Sequence, residues 1–197
     1  RTGKTMAVQS PQFFFAQDRA VADEAYAGDV VGLPNHGALR IGDTLSEGED
    51  LQFLGIPSFA PEILRRVRLD DAIKAGKLKK ALQELAEEGV VQLFTPIDGS
   101  PPMVGVIGAL QLDVLADRLQ NEYGLATAFE MSAYEMVRWI AADTRAALDG
   151  FVEKNRSAVA HDLDGAPVFL AQSSFMLNWT QERAPEIQFA DIKKSMV

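Results

Sequence analysis

The pattern of apolar and polar positions changes character near residue 50, and the change divides the elements that the sequence predicts. In the first fifty residues the apolar pieces are short. Phe13, Phe14 and Phe15 form an aromatic run of strand type between Ser10-Pro11 and Gln17-Asp18. Three further pieces, 21–26, 30–33 and 38–41, are separated by Gly28-Asp29, Asn35-His36-Gly37 and Gly42-Asp43, all of which suit turns. Close-spaced strands with this punctuation belong to an antiparallel barrel or sandwich. So few strands leave open edges, so half a barrel is the expectation. The polar, acidic stretch 46–50 reads as the boundary, which gives domains 1–50 and 51–197.

Beyond the boundary, strand and helix periods alternate. Residues 63–69 set Ile63, Val67 and Leu69 among arginines, a half-buried strand with one wet face. Residues 77–88 are helical, because Leu78, Leu82 and Leu85 recur at i, i+4 and i+7 and Gly89 follows as the C′ residue. Residues 90–94 read as a strand, 96–102 as a turn-rich loop and 103–107 as the returning strand. Leu112, Leu115, Leu119 and Tyr123 stripe a second helix that Gly124 ends, and 125–130 is a further strand. The order β-α-β-β-α-β over residues 62–131 is the split ferredoxin-like arrangement, with both helices on one sheet face. Residues 132–197 read as an extension. It comprises a strand at 134–140, a helix at 143–155 with Leu148, Phe151 and Val152 on one side and Gly150 as a weak point, a strand at 168–173, and a short helix at 176–183 before Pro185. No internal repeat or low-complexity tract is legible, and the tail beyond Ile192 is expected to fray. The fold class is therefore β plus an α/β sandwich: a partial antiparallel β-barrel, then a ferredoxin-like βαββαβ domain with a carboxy-terminal β/α extension.

Composition adds bounds. The 197 residues are 47% hydrophobic and 24% charged, an ordinary globular balance with enough length for one large or two small cores. Cysteine is absent, which excludes disulfides, thiolate metal sites and a thiol nucleophile, and removes the main sign of secretion. The densest apolar stretch, 104–112, is broken by Gly105 and Gly108, so no membrane span is expected. The start at Arg1, with no initiator Met and no apolar leader, reads as a cut from a longer protein.

A net charge of −9 argues against a protein that coats naked nucleic acid through bulk attraction. The local picture differs, because Arg65, Arg66, Arg68, Lys74, Lys77, Lys79 and Lys80 lie within sixteen residues, interrupted only by Asp70 and Asp71 among the charges. Two readings stand side by side: a solvated face of a strand and helix, or a contact for an anionic partner such as ribosomal RNA.

Other chemistry is sparse. Gly3-Lys4-Thr5 lacks the earlier glycine and the following helix that a phosphate loop needs, so it reads as a hairpin turn. His36 and His161 have no neighbour at metal-ligand spacing; His36 falls in a turn, and His161, before Asp162 and Asp164, in a polar loop. Asn178-Trp179-Thr180 is an accidental glycosylation triplet on a helix. Glu87-Glu88 reads as facing solvent, and Ser173-Ser174 has no nearby base. No catalytic, cofactor or metal site emerges.

Several spaced motifs carry a resemblance. Residues 25–37, Ala-Tyr-Ala-Gly-Asp-Val-Val-Gly-Leu-Pro-Asn-His-Gly, are similar to the second-domain barrel of translation GTPases, where an A-x-x-G-D-I/V-x-G turn precedes an I-G-D-T turn. Here Ile41-Gly42-Asp43-Thr44 follows. The Asn-His-Gly variant resembles the class II peptide chain release factor 3 family. So do residues 53–62, Phe-Leu-Gly-Ile-Pro-Ser-Phe-Ala-Pro-Glu, and the Leu-Ala-Glu-Glu-Gly-Val helix end within 82–90. Residues 105–113, Gly-Val-Ile-Gly-Ala-Leu-Gln-Leu-Asp, Arg138-Trp139 and Gln181-Glu182-Arg183 complete the set. The likeness spans nearly the whole chain. Its motifs read as mostly structural: Gly28, Gly32 and Gly42 as turns a side chain would obstruct, Gly105 and Gly108 as close packing, and Asp113 as a carboxylate at a helix start.

The resemblance implies a carboxy-terminal part of such a factor without the amino-terminal GTPase domain, residues 1–50 being a remnant of the domain II barrel. A parent of this family uses GTP and magnesium, bound through the missing domain, to promote dissociation of class I release factors from the ribosome. The chain itself is then a non-enzymatic, cofactor-free, monomeric and cytoplasmic arm. It touches ribosomal RNA and proteins, acts only indirectly on class I release factors and avoids membranes. Arg65, Arg66, Arg68, Lys77 and Lys80 are its candidate RNA contacts. Two alternatives remain: the ribosome-binding domains of an elongation-factor-G-like paralogue, or an unrelated ferredoxin-like small-molecule-binding domain.

Overall fold

The structure, a computed structural model, describes residues 3, 5–15, 18–35, 38–49, 51, 53, 57–69 and 71–193. The chain divides into two compact units, Arg1–Phe53 and Leu54–Val197.

In the first unit, β1 (Gln12–Phe15) and β2 (Asp18–Val21) form an antiparallel hairpin. The expected strand at 30–33 supplies a single bridge, in which Gln12 and Gly32 exchange backbone hydrogen bonds of 2.9 and 2.8 Å. Gly32 therefore sits in a bridge rather than a turn. The expected strand at 38–41 is absent, for a local reason. Asn35 Oδ1 accepts from the amides of Ala38 and Leu39 at 3.0 Å, and Asp43 Oδ2 accepts from Arg40 N at 2.9 Å, so side chains close these turns. Gly28 and Gly42 hold φ of 102° and 88° with nothing within 4 Å of an added Cβ. Backbone conformation, not obstruction, is what calls for glycine there. Among the described residues the unit is a piece of sheet with no closed barrel; Lys4, His36 and Gly37 lie outside them.

The second unit runs β3 (Ser58–Phe59), β4 (Ile63–Leu69), α1 (Ala75–Glu87), β5 (Gln92–Pro96), β6 (Met103–Val106), α2 (Leu110–Asn121) and β7 (Thr127–Met131). It continues with β8 (Met136–Ala142), α3 (Arg145–Lys154), β9 (Val159–His161), β10 (Pro167–Ala171), α4 (Ser174–Arg183), β11 (Ile187–Ala190) and β12 (Ile192–Lys193). β4 to β7 with α1 and α2 form the expected ferredoxin-like unit, in the strand order β5-β6-β4-β7. α1 buries Leu78, Ala81, Leu82, Leu85 and Ala86. It ends in a Schellman motif, with Gly89 N bonded to Ala86 O and Val90 N to Leu85 O, both at 3.0 Å.

The expected extension is a second copy of the same motif. β8, α3, β9, β10, α4 and β11 repeat β-α-β-β-α-β, and their order β11-β8-β10-β9 is the mirror listing of the first set. The two sets join through their second strands, β5 and β9, at Thr95↔His161 and Pro96↔Ala160. One antiparallel eight-stranded sheet results, and the absence of a repeat expected from sequence is corrected.

Alternation along the strands then builds three cores. Val67, Leu93, Val104 and Val106 pack under α1 and α2. Ile140, Val159, Phe169 and Ala171 pack under α3 and α4, where Phe151, Phe169 and Phe189 meet edge to face at 5.7 Å between centroids. The opposite sides meet each other: Leu64, Phe94 and Met103 of the first repeat pack with Val137, Trp139, Val168 and Leu170 of the second. The sheet thus folds over along the β5–β9 junction into a sandwich with helices on both outer faces. β6 is buried at all four positions as a consequence.

Candidate functional site

The five candidate cations divide according to which side of β4 they occupy. Arg65 shares its side with Val67 and the helices, and its Nη1 donates to Leu64 O at 2.8 Å. Arg66 and Arg68 share the other side with Leu64. Arg68 lies 3.3 Å from Glu130 of the neighbouring strand β7. Lys77 and Lys80 are exposed on α1, and Lys80 is 3.7 Å from Glu84 with 80% of its side chain in solvent, a weak pair. The ammonium heads of α1 are therefore the ones carried into solvent, while the arginines have neighbours that limit them.

Arg66 enters a crevice of about 40 Å³ whose polar lining is Asp98, Ser100, Tyr134 and Ser157. Its Nε is sealed from solvent and donates to no acceptor among the described residues. Asp98 is held below the usual carboxylate range, first by the Ser100 amide, then by the Ser100 hydroxyl, with Arg66 a smaller influence. Burial, followed by the Asp98 carboxylate, raises the Tyr134 phenol above its ordinary value, and Arg66 opposes that. The Tyr134 hydroxyl donates to Ser157 O.

Residues that looked inert in the sequence prove structural. Asp162 lies in the hairpin between β9 and β10, so His161 ends a strand instead of sitting in a loop. Glu88 does not merely face solvent: Arg118 Nη1 of α2 donates to it at 2.6 Å and ties the two helices together. Ser173 is the N-cap of α4, its Oγ accepting from Met176 N at 3.2 Å. Gly105 and Gly108 differ. A Cβ at Gly105 would stand 2.6 Å from Pro61 Cγ, whereas one at Gly108 meets nothing within 4 Å, so close packing explains only the former.

Gly3 has φ of 58° in a stretch with no helix after it, and no group of three His, Cys, Asp or Glu able to hold a cation occurs among the described residues. No helix of the described residues is long and apolar enough to cross a membrane. Residues 53–181 match the family model described as class II release factor RF3, C-terminal domain, and residues 1–48 match that of elongation factor G domain 2.

Proposed function

This chain belongs to the class II release factor RF3 family through its C-terminal domain, and we propose that it is the ribosome-binding, non-catalytic arm of a translation-termination GTPase. The observation that carries the reading is the pair of matched domains in this order, a translation-factor second domain followed by the release-factor C-terminal domain. The parent, using GTP and magnesium bound by another part of the protein, promotes departure of a class I release factor after peptide release. This arm conveys the nucleotide state to the ribosome as a cytoplasmic monomer.

Lys77 and Lys80 are the groups we assign first to ribosomal RNA, because their heads stand in solvent with at most one weak partner among the described residues. They act as sequence-independent phosphate contacts on an otherwise acidic protein, whose net charge of −9 disfavours indiscriminate binding.

Adding the chain in excess to ribosomes on which an intact class II factor is recycling a class I factor tests this. The arm should occupy the site without completing the cycle, so recycling should slow in proportion to the chain added. Recycling that is indifferent to a large excess would contradict the proposal.

A further inference from the structure

The crevice around Arg66 lies on the seam between the two repeats. Arg66, Asp98 and Ser100 come from the first repeat, Tyr134 precedes the first strand of the second, and Ser157 precedes its second strand. Its volume of about 40 Å³ exceeds the roughly 10–15 Å³ that one water needs and falls far below the roughly 300 Å³ of small-molecule pockets. Its chemistry is mixed. A bare anion would face Asp98 and a bare cation would face Arg66, so the occupant must both donate and accept. The sealed Arg66 Nε also requires an acceptor, since a buried donor left unpaired is costly.

We propose that this crevice is a binding site for one ordered water, which accepts from Arg66 Nε and donates to Tyr134 Oη and the Asp98 carboxylate, and so bridges the two repeats. Three hydrogen bonds are the usual complement of a buried water. Tyr134 Oη has a lone pair left for this role because its own proton is given to Ser157 O. Arg66, Asp98 and Tyr134 line the same crevice, and Arg66 acts on the ionisation of both Asp98 and Tyr134, although its Nε has no partner among the described residues.

A crystal structure of the full chain at atomic resolution should show a water roughly 2.7–3.2 Å from Arg66 Nε. A dry crevice, or Nε bonded directly to a protein atom, would overturn the site. Substitution gives an independent reading. Arg66→Lys keeps the charge but has no donor at the Nε position, and Tyr134→Phe removes one acceptor. Each should lower Tm by roughly 2–6 °C, and the double variant should lose clearly less than the sum, because either change alone already frees the water. A lysine variant as stable as the parent, or strictly additive losses, would refute the bridge.

Discussion

Trp139 Nε1 donates to Asp162 Oδ2 at 2.9 Å and so ties strand β8 to the hairpin that follows β9. The same carboxylate takes Lys193 Nζ at 2.7 Å, while its Oδ1 accepts the amides of Asp164 at 3.0 Å and Ala166 at 2.8 Å. Only 9% of the Asp162 side chain is exposed, so these partners replace water almost entirely. Asp162→Ala strands an indole N–H and two amides, and should cost about 2–4 kcal/mol in urea unfolding. Asp162→Asn keeps the shape and one good acceptor, and should cost about half as much.

The two glycines of the strand-to-helix turn should respond oppositely to alanine. At Gly105 the new Cβ would stand 2.6 Å from Pro61 Cγ and 2.8 Å from Phe94 Cε2, in a strand buried on both faces. Overpacking of this kind costs about 1–3 kcal/mol. At Gly108 there is open space and no left-handed φ, so alanine should be neutral or stabilising by about 0.4–1 kcal/mol. Thermal unfolding of the two variants beside the parent checks the contrast.

Stability should fall in the alkaline range. Burial, and then the Glu84 carboxylate to which its hydroxyl donates, push the Tyr123 phenol up to about 12. Burial pulls the Lys193 ammonium down, but hydrogen bonds to Asp162 and Asp164 outweigh it and leave the group raised. Both groups hold their protons more tightly folded than unfolded, where phenol and ammonium titrate at about 10 and 10.4. Their contributions are therefore whole below pH ~10 and are lost as pH rises through the folded values. Tm followed from pH 7 upward should hold steady against these two groups and drop beyond pH ~10, with a smaller drop in Tyr123→Phe.

Much of the first repeat was legible because its apolar spacing is long and regular: Leu78, Leu82 and Leu85 announce α1, and Gly89 announces its end. Four elements of the second repeat were also legible, the strands at 134–140 and 168–173 and the helices at 143–155 and 176–183, but its likeness to the first stayed hidden because β9 and β11 were not. β9 has three residues and β11 four, too few for a period, and α4 sends Phe175 and Trp179 into solvent while burying Leu177. Charges at the candidate site were legible as a cluster on a strand and a helix. What restrains each one was not, because the partners lie far along the chain: Glu130 for Arg68, and the walls at Asp98 and Tyr134 for Arg66.

If this arm holds the ribosome, equilibrium binding of the chain to ribosomes across a salt series will show it. The parent chain should bind saturably, with affinity falling as salt rises. Lys77→Ala combined with Lys80→Ala should bind more weakly at low salt and show a log–log salt slope shallower by about 1–2 units. Failure of the parent chain to bind saturably, or identical affinity and slope for the doubly substituted chain with its fold intact, would contradict the account.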